Sequence, residues 1–242
     1  MRRRRTFYEV CFKRLFDIMF SFFAIILLSP ILIILAIVVR IKHGKPVFFR
    51  QERPGKREKI FKMYKFRSMT NKKDENGNLL PDEERLTKFG KKLRSTSLDE
   101  LPNLFNILSG KMSLIGPRPQ TIKNMLFMTD EQRKRHLVRP GLTGLAQVNG
   151  RNDILWEERL EYDLKYVSKI TFWGDVKIFF KTFGKVFRRK GINQEGKATY
   201  EELGEHLLRS GKITKEEYDA TNKLADNYNK EKKGKDKWIY YF

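Results

Sequence analysis

The sequence predicts an α+β fold, mainly helical, with a membrane-inserted helix at the N-terminus, a short β-hairpin in the globular part, and amphipathic helices. Three observations predict it. The run from Ile18 to Val39 is almost wholly apolar, two short aromatic stretches flank the turn-rich Arg53-Pro54-Gly55, and residues 172–190 separate Phe from Lys at helical spacing. The length, 242 residues, suits one domain with appendages rather than two full domains. The expected divisions are 1–42 for the basic N-terminus and membrane helix, 43–198 for the globular domain, and 199–242 for a helical, Lys-rich extension.

The apolar run, broken only by Ser21, Ser29 and Pro30, is long enough to span or deeply enter a bilayer. It is too long for a secretory signal peptide and has no small-residue cleavage site before Arg40. Cations stand on both sides of it: Arg2 to Arg5, Lys13 and Arg14 before, Arg40, Lys42, Lys45 and Arg50 after. Positive flanks favour the cytoplasmic side, so a spanning helix would leave one cluster on the wrong face. A re-entrant helix avoids this. Pro30 has no N–H and opposes the carbonyl of Ile26, opening a bend that Ser29 can help to satisfy. A single-pass helix is the alternative.

Fifty-one Lys and Arg against 29 Asp and Glu give a net charge of +22, which gathers anions such as phospholipid head groups and nucleotides. No zinc-finger, homeodomain or RRM pattern is present, so no nucleic-acid partner is expected. Cys11 is the only cysteine, which excludes an intramolecular disulfide and a thiolate metal cluster and fits a reducing compartment.

Pro46 to Arg50 and Ile60 to Arg67 read as the strands of a hairpin. Lys65 and Arg67 share a face of the second strand, either as two cations for an anionic ligand or as a solvated basic edge. Residues 71–84, with Asn76-Gly77-Asn78, read as an exposed loop, and Leu86 to Leu93 as a helix. The run Arg94-Ser95-Thr96-Ser97-Leu98-Asp99-Glu100-Leu101-Pro102 follows. With Ser97 as N-cap and Glu100 at N3, both acids lie in a first helical turn, where free N–H groups also attract phosphate. Alternatively the helix begins at Pro102. Taken alone, an Asp-Glu pair beside serine is a common cap.

Downstream, Gly116-Pro117-Arg118-Pro119 holds a guanidinium between two prolines, suited to bidentate phosphate contact. His136, Arg139 to Gly144 and Gln147 to Asn152 add Gly-rich turns with further Arg. In the helix from Phe172 to Lys190, Phe172, Val176, Phe179, Phe180, Phe183 and Phe187 oppose Lys177, Lys181, Lys185 and Arg188. The helix either lies among lipid head groups or packs on the core with its Lys side in water. Asp175, near its start, is a cap or a site residue. Thr199 to Ala225 reads as helical with a break at Gly211, and Asn227 to Lys237 as solvated chain.

Together these motifs resemble the small monotopic phosphoglycosyl transferases, or bacterial sugar transferases. The resemblance runs from about Phe12 to Thr199 through Lys13 to Asp17, Ser29-Pro30, Gln51 to Gly55, Lys65 to Met69, Leu93 to Asn106, Met112 to Pro119, Arg139 to Gly144, Ala146 to Asn152 and Asp175 to Lys177. It implies a re-entrant helix bent at Ser29-Pro30 and a catalytic domain on the cytoplasmic face of the bacterial inner membrane. It implies transfer of a sugar-1-phosphate from a UDP-sugar, expected to be N-acetylated, to undecaprenyl phosphate with release of UMP, the first membrane step of glycan assembly. Asp99 would be the nucleophile that carries the phosphosugar, and Glu100, with Asp99 close by, the contact for Mg²⁺. Lys65, Arg94, Arg118 and Arg151 resemble the cations that hold the substrate phosphates, and Asp175 a further site acid. Anionic membrane lipids are implied partners. The competing reading is a non-enzymatic, membrane-tethered basic scaffold for anionic lipid or nucleic acid. Two departures stand out: Leu145 replaces a familiar Trp, and Leu207 to Ala225 resembles the short helical SHOCT modules, which imply a homo-oligomer.

Overall fold

A computed structural model describes residues 5–150, 154–188 and 201–233. The order of elements is α1 (Lys13–His43, preceded by a π-turn Tyr8–Phe12), β1 (Phe48–Pro54), β2 (Ile60–Phe66), α2 (Asp82–Arg85), α3 (Lys88–Ser95), α4 (Asn103–Leu108), β3 (Ser113–Ile115), α5 (Ile122–Leu126), α6 (Asp130–Arg133), β4 (Gly141–Thr143), α7 (Leu145–Asn149), α8 (Trp156–Ser168), α9 (Phe172–Arg188), α10 (Leu203–Arg209) and α11 (Lys215–Lys233).

The apolar run forms α1, which ends where Gly44 takes φ +76, a conformation that suits glycine after a helix. Pro30 lies inside the helix, and the Ser29 hydroxyl donates to the Ile26 carbonyl at 2.8 Å. That is the acceptor which the proline leaves without its usual partner, as the sequence predicts. Much of α1 is exposed, with Leu27 at 79%, and yet one stripe is core. Ala24, Ile25 and Leu28 cover Phe61, Met63, Leu104, Ile107 and Met112, while Leu32, Leu35 and Ala36 pack with Val39, Phe66 and Leu93. Polar ties hold both ends. Buried Asp17 accepts from the Leu114 N–H (2.8 Å) and the Ser113 hydroxyl (3.0 Å). Arg14 donates to the Ile107 and Leu108 carbonyls at the end of α4, where the helix dipole favours a cation. At the far end the His43 ring bonds the Arg67 carbonyl and the Thr87 hydroxyl.

The hairpin is antiparallel, from Phe48 opposite Phe66 to Pro54 opposite Ile60. β1 therefore begins two residues later than the sequence predicts and takes in Arg53 and Pro54, which were expected in the turn. Pro54 is tolerated because it ends an edge strand; the turn itself uses Arg57 and Glu58 at positive φ. Lys65 and Arg67 do not act as a pair: the Arg67 guanidinium is drawn to the Lys45 carbonyl at 2.9 Å. The 71–84 loop is exposed around Gly77, as expected, and closes on α2. Thr87 caps α3 by accepting from the Gly90 N–H, and Gly90 lies so close to the Ser68 carbonyl that a Cβ would fall 1.8 Å from it.

β3 and β4 form a short parallel pair, Ser113 opposite Gly141 and Ile115 opposite Thr143, which the sequence does not announce. Behind it, Ile115, Val138, Val148, Tyr166, Val167, Ile170 and Ile178 make the core shared by α7, α8 and α9. Leu145 packs on this core, so the side chain at the departure from the family pattern is a packing residue. The packing reading of α9 holds in part: Asp175 and Ile178 are buried, while Phe172, Trp173, Phe180 and Phe183 are exposed. Phe16 meets Phe172 and Phe20 meets Phe179, so the apolar surfaces of α1 and α9 are continuous.

Beyond the domain, α10 and α11 form the expected helical pair with Gly211 at φ +67 between them. The pair is docked on the domain rather than hanging from it. Leu203 joins Met128, Trp156 and Leu160 in a core cluster, its N–H donates to Asn124, Tyr218 stacks on Phe127, and Glu157 binds His206 and Lys212. α11 also continues to Lys233, a correction to the solvated chain expected from Asn227, made by helix-forming residues such as Lys and Glu in its last turns.

Candidate active site

Lys65 stands near the end of β2, on the face that also carries buried Phe61 and Met63. Opposite it, Leu98–Glu100 forms one 3₁₀ turn entered through Ser97 at φ +58. Ser97 makes no side-chain cap, so the capping box does not form. The helix starts beyond Pro102, which occupies the N-cap position of α4, close to the second alternative that the sequence leaves open. The short turn gives the two acids different surroundings.

Glu100 is neutralised. Its Oε1 accepts from Lys65 Nζ and from Arg118 Nη2, each at 2.7 Å, and its Oε2 from Arg118 Nη1 at 3.4 Å. Burial pushes its carboxyl up, but Arg118 and Lys65 overcome that and hold it well below the usual carboxylate range. Asp99 is 6% exposed, and among the described residues no hydrogen bond or ion pair falls on its carboxylate. Burial, and then the neighbouring Glu100 charge, raise it to about 6 against the pull of Lys65, Arg94 and Arg118. Asp99 and Glu100 are thus two adjacent carboxyl groups driven in opposite directions, the pattern that separates chemical roles in catalytic acid pairs.

Arg118 owes its position to a tie that sequence reasoning missed. Arg135 donates to the Arg118 carbonyl at 2.6 Å and pairs with Asp163 at 2.7 and 3.0 Å, and both partners are almost fully buried. A buried guanidinium serving both a carboxylate and a carbonyl fixes the backbone of the Pro117-Arg118-Pro119 segment. Arg53 was missed as well: its guanidinium lines the cavity beside Glu100 and Arg118, and burial, with Arg118, lowers it to about 10. Arg94 donates to the Ser68 hydroxyl at 2.8 Å, and burial lowers its pKa.

These groups line one cleft of about 880 Å³, shared by Lys65, Arg94, Asp99, Glu100 and Arg118. Phe20, Ala24 and Leu28 of α1 form an apolar wall, and Glu201 and Glu202 of the extension border it. Asp175 does not line this cleft. It accepts from Lys13 (2.6 Å), Tyr166 (2.9 Å) and Tyr8 (3.0 Å) and ties the N-terminal turn to α8 and α9. Arg151 lies outside the described residues. Ser29 and Pro30 are on α1, and neither lines the cleft.

Among the described residues no group of three or more His, Cys, Asp or Glu could hold a metal by itself. The hard oxygens of Asp99 and Glu100 nevertheless fit Mg²⁺, which is commonly bound through one or two carboxylates with substrate phosphates and water supplying the rest.

The profile of the family described as Bacterial sugar transferase matches residues 8–189. The chain belongs to that family. This bacterial sugar transferase is 49% identical over 189 residues to the uncharacterized sugar transferase EpsL of Bacillus subtilis (strain 168), covering 78% of this chain and 94% of that one. It is 45% identical over 192 residues to the UDP-glucose:undecaprenyl-phosphate glucose-1-phosphate transferase of Klebsiella pneumoniae, covering 75% and 41%. It is 39% identical over 196 residues to the undecaprenyl-phosphate galactose phosphotransferase of Salmonella typhimurium (strain LT2), covering 74% and 41%. The transferase thus spans about two fifths of the length of these last two relatives. The family match takes in α1 and every cleft cation and acid named above except Glu201 and Glu202, which come from the extension.

Proposed function

We propose that this bacterial sugar transferase is a phosphoglycosyl transferase that moves a sugar-1-phosphate from a UDP-sugar, of the N-acetylated class, to undecaprenyl phosphate at the cytoplasmic face of the bacterial inner membrane. The observation that carries the reading is buried Asp99, without a hydrogen-bond partner among the described residues and set among Lys65, Arg94 and Arg118 in a cleft whose wall is the apolar α1. The names of two relatives, which specify transfer of glucose-1-phosphate and a galactose phosphotransferase acting on undecaprenyl phosphate, support the transfer reaction and leave the N-acetylated donor to the test below.

In the first step an Asp99 carboxylate oxygen attacks the β-phosphorus of the donor. The bond from that phosphorus to the bridging oxygen breaks, UMP departs with its electrons, and the phosphosugar remains on Asp99. In the second step a phosphate oxygen of undecaprenyl phosphate attacks the same phosphorus, expels the Asp99 carboxylate and yields the diphosphate-linked lipid. A carboxylate is a competent covalent nucleophile, and phosphoryl transfer asks chiefly for positioning and charge stabilisation. Lys65, Arg94 and Arg118 supply positive charge where the transferred group passes, with Arg151 read as a further donor contact. Asp175 keeps the N-terminal turn in place and so acts at a distance. Mg²⁺ bound at Glu100 and Asp99 would neutralise phosphate charge and orient the diphosphate.

Monotopic, re-entrant insertion is supported by the packing of α1. Lys13, Arg14 and Asp17 at one end and Val39 and His43 at the other contact the same globular domain. A perpendicular spanning helix would carry one end to the opposite side of the bilayer. Exposed Phe172, Trp173, Phe180 and Phe183, beside α1, suit insertion at the head-group level with anionic lipid around the basic residues.

The test uses the full chain in detergent with Mg²⁺, undecaprenyl phosphate and a panel of UDP-sugars, reading UMP release. Asp99→Asn is expected to abolish release, and intact-protein mass spectrometry with donor alone to find an added phosphosugar. Full release in Asp99→Asn would remove Asp99 as the nucleophile, and absence of release by the wild type across the whole panel would restore the scaffold reading.

A further inference from the structure

Gln147 presents a feature that the catalytic reading leaves unused. It lies on α7 and lines the cleft that holds Asp99. Both its Nε2 and its Oε1 are sealed from solvent and have no hydrogen-bond partner, and among the described residues it is the only side chain with both a donor and an acceptor so placed. Its polar neighbours do not serve it. The Thr143 and Thr182 hydroxyls bond each other at 2.8 Å, and Thr182 also donates to the Ile178 carbonyl. Asn149, on the exposed side of α7, donates to the Leu145 carbonyl. Ala146, Val148, Leu142 and Phe179 line the same cleft. Gly144 leaves the amide its room, since a Cβ there would fall 2.8 Å from Oε1. Buried polar groups are retained where something bonds them, and a turn of the Gln147 side chain into the cleft that it lines would bring both amide groups within reach of a ligand.

A primary carboxamide offers one N–H and one C=O side by side in a plane. Its complement is a planar group that carries an acceptor and a donor on the same edge. The uracil imide has this edge, with N3–H next to C4=O, and two parallel hydrogen bonds form, as when Asn or Gln reads an adenine edge. The acetamido group of an N-acetylated sugar does not, because its N–H and C=O point in opposite directions. Polyprenyl phosphate has no N–H at all. We infer that Gln147 holds the imide edge of the uracil ring of the donor, so that α7 reads the base while Lys65 and Arg118 face the diphosphate. This rests on the reading of the donor as a UDP-sugar.

The test measures UMP and N3-methyl-UMP binding to the full chain in detergent, in the wild type and in Gln147→Leu and the near-isosteric Gln147→Glu. The wild type is expected to bind UMP roughly tenfold or more tightly than the N3-methyl analogue, the scale of two lost hydrogen bonds. Gln147→Leu should bind both ligands equally weakly. Gln147→Glu, whose carboxylate would oppose the C4 carbonyl, should also bind UMP more weakly than the wild type does. The wild-type comparison needs no variant, so a folding defect in Gln147→Leu leaves the inference exposed to refutation. Equal wild-type affinity for UMP and N3-methyl-UMP overturns it while leaving the transferase reading intact, as does a variant that loses discrimination between UDP-N-acetylglucosamine and UDP-glucose with unchanged UMP binding. Failure of the wild type to bind UMP at all overturns the donor reading and this inference together.

Discussion

Asp99 and Asp175 are buried to the same degree, 6% and 5% exposed, yet their surroundings are opposite. Asp175 receives three hydrogen bonds, from Tyr8, Lys13 and Tyr166, and its charge is spent on holding three elements together. Asp99 receives none among the described residues, although three cations stand near enough to pull on its proton. Those cations are engaged elsewhere: Lys65 and Arg118 on Glu100, Arg94 on Ser68. A folded chain keeps a buried acid unpaired where chemistry needs it free. Burial therefore does not separate a structural carboxylate from a reactive one, but the hydrogen-bond inventory does.

The contrast can be broken most severely by removing each charge. Asp99→Asn is expected to lower transfer by roughly 10³-fold or more while the protein stays folded. Asp175→Asn should do the reverse: it leaves Lys13 buried without its partner, at a cost of about 3 kcal/mol, read as a fall in thermal midpoint, and chemistry measured on the surviving folded fraction should change far less. Equal losses of activity with equal stability would erase the distinction.

A milder probe is pH. Because Asp99 is raised from 3.8 to about 6, the attacking carboxylate is lost below that value, and kcat/KM should fall about tenfold per pH unit below about pH 6. The stability sign is the opposite. The native state holds the Asp99 proton more tightly than the unfolded chain, so this residue removes stability as pH rises from about 4 to about 6. In Asp99→Asn that part of the stability profile should flatten, measured by thermal melts across the range. The smallest effect belongs to Tyr166→Phe, which removes one of the three donors to Asp175 and should cost about 1 kcal/mol with transfer kinetics nearly unchanged.

What could be read from the sequence follows from how far apart the partners lie. α1 and the hairpin show themselves in local patterning, because a long apolar run and the alternation of a half-buried strand are both written in consecutive residues. Asp99 and Glu100 were legible as adjacent acids, and Lys65, Arg94 and Arg118 through short motifs. Their division of labour was not, since it depends on a 3₁₀ turn entered through Ser97 at positive φ, where the sequence also allows a cap. Arg135 and Asp163, 28 residues apart, leave no local trace, nor does the parallel pairing of β3 with β4. The docking of the extension escaped for the same reason: Leu203 bonds Asn124 across 79 residues, while the Lys and Glu content of α11 reads as solvated chain.

The double use of α1 bears on how this protein is made. The helix leaves the ribosome before any of Leu104, Ile107 and Met112, which its Ala24, Ile25 and Leu28 will cover. Its apolar stripe therefore waits for some eighty residues of synthesis before its partners exist. Cutting residues 1–43 away would not free a soluble enzyme. It would bare the core beneath α1 and take the Asp17 acceptor from the Leu114 N–H, so the placement of α1 and completion of the fold are a single event for this chain.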